Sequence, residues 1–431
     1  MSKWGLRWMA CCSVLMFRIW NEMEQLGDNA FSDYYEPWWS ATSEFTPDQN
    51  QSRPPAKVDL LSRVISSTIG KQVKTINFLA SGVFHVASIL VYEITFEFGD
   101  PIIIRIAFNF RDTERGRAAV SLKMKQETNI LRLVKDQAPN VPIPAVFYSD
   151  PDPQNSIGAP YMLMEKLSGR SSGYSNLKGD DMEAFVESLA KVYVGVFDVT
   201  LPKIGSFLEV SSGGEPSMGP IIDEREEHPG GPFDTVQEYL DWLFSSTLNH
   251  PRNQSSSPDL DLQVLFPRLS NLAQLLLPPD PNKRIALLHL DPHERNILVE
   301  GTEVTGLIDW EAHGSLPSYL AAFYPPFLRR DGIFDERYMN TDEAEMSDKS
   351  NSSDGSVNDM NPDPLVSSEE AKHLREVFVQ AAKKVNHEFV EALFEGEKLR
   401  QLIEWLTFAE WDGTWTWKGC DLWERDVRPV S

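Results

Sequence analysis

The stretch Leu287-Leu288-His289-Leu290-Asp291-Pro292-His293-Glu294-Arg295-Asn296-Ile297-Leu298-Val299, followed by Gly306-Leu307-Ile308-Asp309-Trp310-Glu311, decides how this chain of 431 residues is read. It sets three groups in a fixed order. Asp291 can accept a proton from an attacking hydroxyl. Asn296 and Asp309 offer oxygen atoms of the kind a hard divalent cation takes. Ile297 to Val299 and Val304 to Ile308 read as two short strands around Glu300-Gly301-Thr302-Glu303, a turn with glycine in it. A hairpin turning near Thr302 predicts Asn296 opposite Asp309 at its open end. Facing residues of an antiparallel pair sit about 5 Å apart at Cβ, and Mg²⁺ ligands lie about 2.1 Å from the ion. One ion could therefore touch both.

Outward from this segment, the chain divides by composition. Residues 1 to 55 are aromatic-rich, then polar, and end in Pro54-Pro55. They read as a partly disordered N-terminal extension. Trp8 to Phe17 is apolar but too short to span a bilayer as a helix, so no stable membrane insertion is expected. A targeting role for this run is the alternative. A helix is predicted over Val58 to Ile69, with Gly70 as its stop. Strands follow at Thr75 to Leu79, Val86 to Phe98 and Ile102 to Ile106, then a helix at Ala118 to Val134 and a strand at Tyr161 to Met164. Residues 56–165 thus read as a small lobe built on an antiparallel sheet. Beyond Gly169 the pattern turns helical: Met182 to Val196, Val236 to Phe244, Leu260 to Leu276, and a strong amphipathic helix from near Ser368. Residues 166–431 read as a larger, mainly helical lobe. Gly213 to Pro232 reads as a loop insertion, and an acidic, serine-bearing insertion at about 340–366 reads as disordered.

Hydrophobic residues make up 41% of the chain, enough for a substantial core, and the formal net charge is −24. That charge argues against nucleic acid as a partner. Three cysteines with no C-x-x-C pair suit a reducing, cytoplasmic setting. Arg105 stands alone among isoleucines, and a buried charge needs a partner. Glu127 on the following helix is the candidate. Gly82, in Leu79-Ala80-Ser81-Gly82-Val83-Phe84-His85-Val86, marks the connection between the first two strands. Met164-Glu165-Lys166-Leu167 has the form of a hinge whose backbone at Glu165 and Leu167 could hold a flat base. His289 reads as a brace for the loop, while His293 and Glu311 are assigned to the acceptor side. Trp405, Trp411, Trp415, Trp417 and Trp423 read as anchors for the tail, with stacking on a cationic acceptor as the alternative.

With these parts in order, the chain resembles the aminoglycoside phosphotransferase family of the protein-kinase-like fold, related to choline and homoserine kinases. The family pattern H-G-D-L-H-P-G-N-I-L-V, then G-x-I-D-W-E, is matched by His289 to Val299 and Gly306 to Glu311. The spacing from Asp291 to Asn296 is also that of the kinase catalytic loop. The resemblance implies a two-lobed α+β fold and ATP-dependent transfer of phosphate to a hydroxyl of a small molecule. By position, Asp291 would be catalytic and Asn296 and Asp309 would hold Mg²⁺. Arg105, paired with Glu127, would hold ATP phosphates, with Gly82, Glu165 and Leu167 also at the nucleotide. Leu290, Pro292 and Glu294-Arg295 depart from the pattern and make the loop stiffer, bulkier and more charged. The alternative they suggest is a catalytically impaired, kinase-like binding protein. A zinc hydrolase built on His289, Asp291 and His293 is a further reading, but it leaves Asn296 and Asp309 unexplained.

Overall fold

In the computed structural model, residues 58–428 are described apart from 84–87, 109–112, 172, 212, 222–229, 250–261, 340–365 and 413. The expected N-terminal extension, residues 1–55, and nearly all of the acidic insertion lie outside the described residues. The described part is α+β, with a five-stranded antiparallel sheet followed by a larger, mainly helical region.

The sheet is built from β1 (Val73–Val83), β2 (Ser88–Phe96), β3 (Ile102–Phe108), β4 (Val146–Asp150) and β5 (Tyr161–Glu165), in the order β1-β2-β3-β5-β4. Side chains alternate across a strand, and in β3 that alternation sorts two cores. Ile102, Ile104 and Ile106 face a cluster with Leu61 and Ile65 of α1 (Val58–Ile69). Arg105 and Ala107 take the opposite parity. Ala107 packs in the main cluster with Val120, Met124 and Leu131 of α2 (Glu114–Gln137). The parity that buries the isoleucines therefore turns Arg105 toward α2, which carries Glu127. Thr113 caps α2 by accepting the Gly116 N–H.

Two sequence expectations need correction in this sheet. Gly82 does not mark the connection: it lies within β1, paired with Ile89 of β2. The β-rich character of Val83 and of the second strand extends the ladder past the glycine. Strand β4 was not anticipated. It is an edge strand after a proline-rich connector, and Phe147 and Tyr148 are exposed on it. It lacks the alternation that marks a half-buried strand.

Next come β6 (Arg170–Ser171), α3 (Asp180–Phe197), β7 (Thr200–Leu201), β8 (Ser206–Val210), β9 (Pro216–Gly219), α4 (Val236–Asn249) and α5 (Leu262–Leu276). Part of the expected Gly213 to Pro232 loop is thus strand β9, paired with β8. Helix α3 is the axis of the main core, with Phe185, Val186, Leu189, Ala190 and Val194 fully buried. Four short strands carry the site: β10 (Ile285–His289), β11 (Ile297–Glu300), β12 (Glu303–Leu307) and β13 (His313–Pro317). Helices α6 (Ser318–Ala321), α7 (Glu336–Met339), α8 (Ser368–Val385), α9 (His387–Glu395), α10 (Glu397–Asp412) and α11 (Thr414–Val427) complete the region. Trp405, Trp417 and Trp423 are buried in its second core, as tail anchors. The side chains of Trp411 and Trp415 lie outside the described set.

Among the described residues, no helix is long and apolar enough to cross a membrane.

Candidate active site

The loop between β10 and β11 is knitted by its own polar groups. The Asp291 carbonyl accepts from the His293 N–H (3.0 Å) and from Asn296 Nδ2 (2.9 Å). The His293 carbonyl accepts the Asn296 N–H at 2.9 Å. Pro292 is buried and lines an apolar pocket with Tyr193, Leu288, Leu307 and Phe323, so it plugs the loop onto the core. His289 braces the loop from below. Its Nδ1 accepts the Asp291 N–H (3.1 Å), and Nε2 lies 3.1 Å from the Ile308 carbonyl. Nε2 therefore carries the proton. Burial holds the imidazole below its ordinary pKa, which keeps it neutral.

Asn296 and Asp309 sit at the open end of the β11–β12 hairpin, but not directly opposite each other. Ile297 pairs with Leu307, and the Ile308 N–H bonds the Asn296 carbonyl at 2.9 Å. The turn closes on Glu300 and Glu303, and a bulge between Leu298 and Val299 shifts the register. Asn296 thus faces Ile308, and Asp309 is the first residue beyond the ladder. There the backbone turns into the left-handed region, with φ 68° at Asp309. Aspartate tolerates this conformation better than most residues, and functional sites often store such strain.

The turn delivers Asp309 to Arg105. Arg105 Nη2 lies 2.9 Å from Asp309 Oδ1 and 3.9 Å from Glu311 Oε2, while Nη1 meets Glu127 Oε1. Glu127 also accepts from the Trp310 backbone. One guanidinium thus faces three carboxyl groups. Burial alone would lower the Arg105 pKa, but Glu127, Asp309 and Glu311 outweigh it and hold the pKa above its ordinary value. Burial raises Glu127 to about 7. Asp309 stays below the usual carboxylate range because the charge of Arg105 overcomes burial. Burial and the neighbouring Asp309 push Glu311 well above that range.

The site therefore brings together Asp291, Asn296, Asp309, Arg105 and Glu127. Glu311 belongs with them, not with the acceptor side: it is 7% exposed and stands beside Arg105. His293 Nε2 lies 3.4 Å from Asp291 Oδ2, beside the residue expected to meet the acceptor. Glu165 ends β5 and its Oε2 accepts the Ala145 N–H at 3.1 Å. Its own N–H bonds the Ala145 carbonyl at 2.8 Å, so the hinge donor expected at Glu165 is engaged within the sheet. Leu167 packs against Gly306 of β12. Gly82 lies in β1, paired with Ile89 of β2.

Residues 105–314, the span from Arg105 past the β11–β12 hairpin, match the model of the phosphotransferase enzyme family, APH. That span is similar to this family. A relative from Ampulloclitocybe clavipes, the clavilactone A biosynthesis cluster protein Y, is 26% identical over 337 residues, covering 74% of this chain and 76% of that protein. A subtelomeric hrmA-associated cluster protein of Aspergillus fumigatus is 24% identical over 256 residues, covering 44% of this chain and 50% of its own length. Among solved structures, the APH(4)-Ia aminoglycoside phosphotransferase with ADP and hygromycin B has a TM-score of 0.45 at 14% identity. The match covers 86% of this chain and 99% of that one. A putative fructosamine-3-kinase from Thermobifida fusca has a TM-score of 0.48 at 14% identity, over 85% of this chain and 98% of its own. The described residues are of α+β architecture, and the family match spans both the strand that carries Arg105 and the hairpin that leads to Asp309.

The donor set can be tested for a metal. Among the described residues no three His, Cys, Asp or Glu side chains are grouped to share a metal ion. Mg²⁺ does not require such a cage, because it commonly takes one or two protein oxygens and completes its shell with water and phosphate. Asn296 turns Nδ2 onto Asp291, which directs its amide oxygen elsewhere, and the Asp309 side chain is 28% exposed. An amide oxygen and a reachable carboxylate fit a hard cation held together with phosphates.

Proposed function

We propose that the chain is an ATP-dependent phosphotransferase acting on a hydroxyl of a small molecule. The observation that carries this reading is the convergence at one site of Arg105 from β3, Asp309 from the end of β12, and the Asp291–Asn296 loop. In this reading Asp291 orients the acceptor hydroxyl and receives its proton late. Asn296 and Asp309 would hold Mg²⁺, which when bound offsets charge on the transferring phosphate. Arg105 presents a planar fork suited to phosphate oxygens, and Glu127 fixes its direction. The segment from Glu165 to Leu167, with Gly82 on β1, borders the nucleotide. The small lobe would be residues 56–165 and the catalytic lobe 166–431. Positioning and electrostatics supply most of the acceleration in such chemistry.

The test is turnover of Mg²⁺–ATP by purified protein against a panel of hydroxyl-bearing acceptors, with Asp291→Ala as control. The panel should include aminoglycosides, sugars and metabolites of fungal biosynthetic clusters, which the names of the neighbours and relatives suggest. Acceptor-dependent ADP release abolished by Asp291→Ala supports the reading. Equal ADP release by the variant defeats it.

A second reading is favoured by one observation: Arg105 engages Asp309 directly, in a loop already altered at Leu290, Pro292, Glu294 and Arg295. A domain that binds nucleotide without transferring phosphate could keep that ion pair. Mg²⁺-dependent ATP binding without turnover across the panel would select this reading.

A further inference from the structure

Two histidines of the catalytic loop make the same local contact and use it differently. His289 Nδ1 accepts the Asp291 N–H at 3.1 Å, and His293 Nδ1 accepts the Arg295 N–H at 3.0 Å. Each ring brackets the main chain two residues on. A ring nitrogen that accepts carries no proton, so each neutral imidazole holds its proton on Nε2. His289 aims Nε2 at a backbone carbonyl. His293 Nε2 lies 3.4 Å from Asp291 Oδ2, and Asn296 Nδ2 reaches the same oxygen at 3.3 Å.

We infer that His293 is a positioning residue, whose Nε2–H holds the Asp291 carboxylate in the rotation that receives the acceptor's proton. The inference rests on the role proposed above for Asp291. The terminal torsion of an aspartate is soft, and the contact from Asn296 Nδ2 to Oδ2 is long at 3.3 Å. A second donor on the same oxygen fixes the carboxylate plane. His293 and Asp291 side chains are only 18% and 20% exposed, so water screens the contact weakly. Hydrogen bonds in a site without substrate are often long and tighten when substrate binds. The Arg295 N–H is part of the device: by occupying Nδ1 it selects the tautomer that donates to Asp291. Main-chain bonds and Asn296 hold the loop together with the ring.

Two substitutions separate the ring's two contacts. His293→Asn places a carbonyl near the position of Nδ1, keeps an acceptor for Arg295, and loses the donor to Asp291. His293→Gln places an amide nitrogen near the position of Nε2, keeps the donor, and loses the acceptor. Thermal unfolding first establishes that both variants fold. The expected result is a kcat about tenfold or more lower for His293→Asn, with KM for ATP unchanged and His293→Gln within about threefold of wild type. The reverse order, or a KM change that accounts for the whole loss, shows that the ring serves only the loop and overturns the inference. An active wild type with unaffected His293→Asn overturns the inference alone. A wild type with no transfer to any acceptor fails the functional reading first, and the inference falls with it.

Discussion

Arg105 Nη2 lies 2.9 Å from Asp309 Oδ1, so a strand of the small sheet is tied by one guanidinium to the end of the β11–β12 hairpin. The same guanidinium holds Glu127, whose side chain is 5% exposed. Arg105→Met would leave Glu127 buried without its cation. Breaking a buried pair from one side costs about 3–5 kcal/mol. Glu127 already titrates at about 7 because of burial, and without Arg105 it titrates higher still. At low pH the orphaned group takes a proton and the loss is small. As pH rises it must ionise unpaired, and the loss grows. Urea denaturation at pH 6 and pH 8 should show the larger deficit at pH 8.

Asp291 carries the proposed chemistry and little of the proposed nucleotide binding. Asp291→Asn should therefore lower kcat by about 10²–10⁴, while affinity for Mg²⁺–ATP stays within a few-fold. Calorimetric titration with a non-hydrolysable ATP analogue checks the second half. Loss of nucleotide affinity in step with kcat would move Asp291 from acceptor chemistry to nucleotide binding.

Stability should weaken in mild acid because of His313. It is fully buried, and its Nδ1 lies 2.8 Å from the Trp310 carbonyl. Burial lowers its pKa from 6.5 to about 4. Between those values the unfolded chain binds the proton and the folded chain does not, so stability falls as pH drops through that window. The contribution is about 3 kcal/mol in all. Asparagine can keep a donor near Nδ1 and cannot titrate. His313→Asn should therefore flatten the decline between pH 6.5 and 4 relative to wild type, measured by urea denaturation across that range.

Trp423 is fully buried and its Nε1 donates to Gln401 Oε1 at 3.0 Å. Arg268 also clamps α11 through Asp421 and Glu424. Trp423→Ala should cost about 3–5 kcal/mol and leave Gln401 short of a donor. If the indole instead served a cationic acceptor, the variant would lose acceptor affinity at unchanged stability. Thermal unfolding alongside KM for the acceptor distinguishes these outcomes.

The fold and half of the site were legible because the signals were local. Asp291, Asn296 and Asp309 lie within one short stretch, and Arg105 is conspicuous as a charge in a run of isoleucines whose alternation sets its direction. What was not legible came from geometry that local pattern does not encode. A bulge at Leu298 and Val299 shifts Asn296 to face Ile308. A left-handed Asp309 then aims at Arg105, a partner 204 residues away in sequence. Glu311 was placed on the acceptor side for the same reason, because its partner Arg105 depends on how that turn is threaded.

Gly169 connects the β5 end of the small sheet to β6, which pairs with β11 of the β11–β12 hairpin. Its φ is 91°, and a Cβ there would stand 2.4 Å from Thr305 Oγ1 and 3.0 Å from Val299 backbone atoms. Thr305 Oγ1 donates to the Ser168 carbonyl at 2.7 Å, so the hinge rests on the hairpin at this point. Gly169→Ala meets two penalties. The backbone conformation costs about 1–3 kcal/mol for a residue with a side chain, and the methyl group displaces Thr305 or pushes the hairpin. A displaced hairpin carries Asn296 and Asp309 with it, so kcat should fall along with stability. Thr305→Ala removes the nearest clash but neither the backbone penalty nor the contact with Val299. The double variant should therefore recover part of the loss, a non-additivity expected only for residues in contact. Simple additivity of the two single changes in urea denaturation would mean that the cost of Gly169→Ala is conformational alone, and that the hinge does not bear on the hairpin through Thr305.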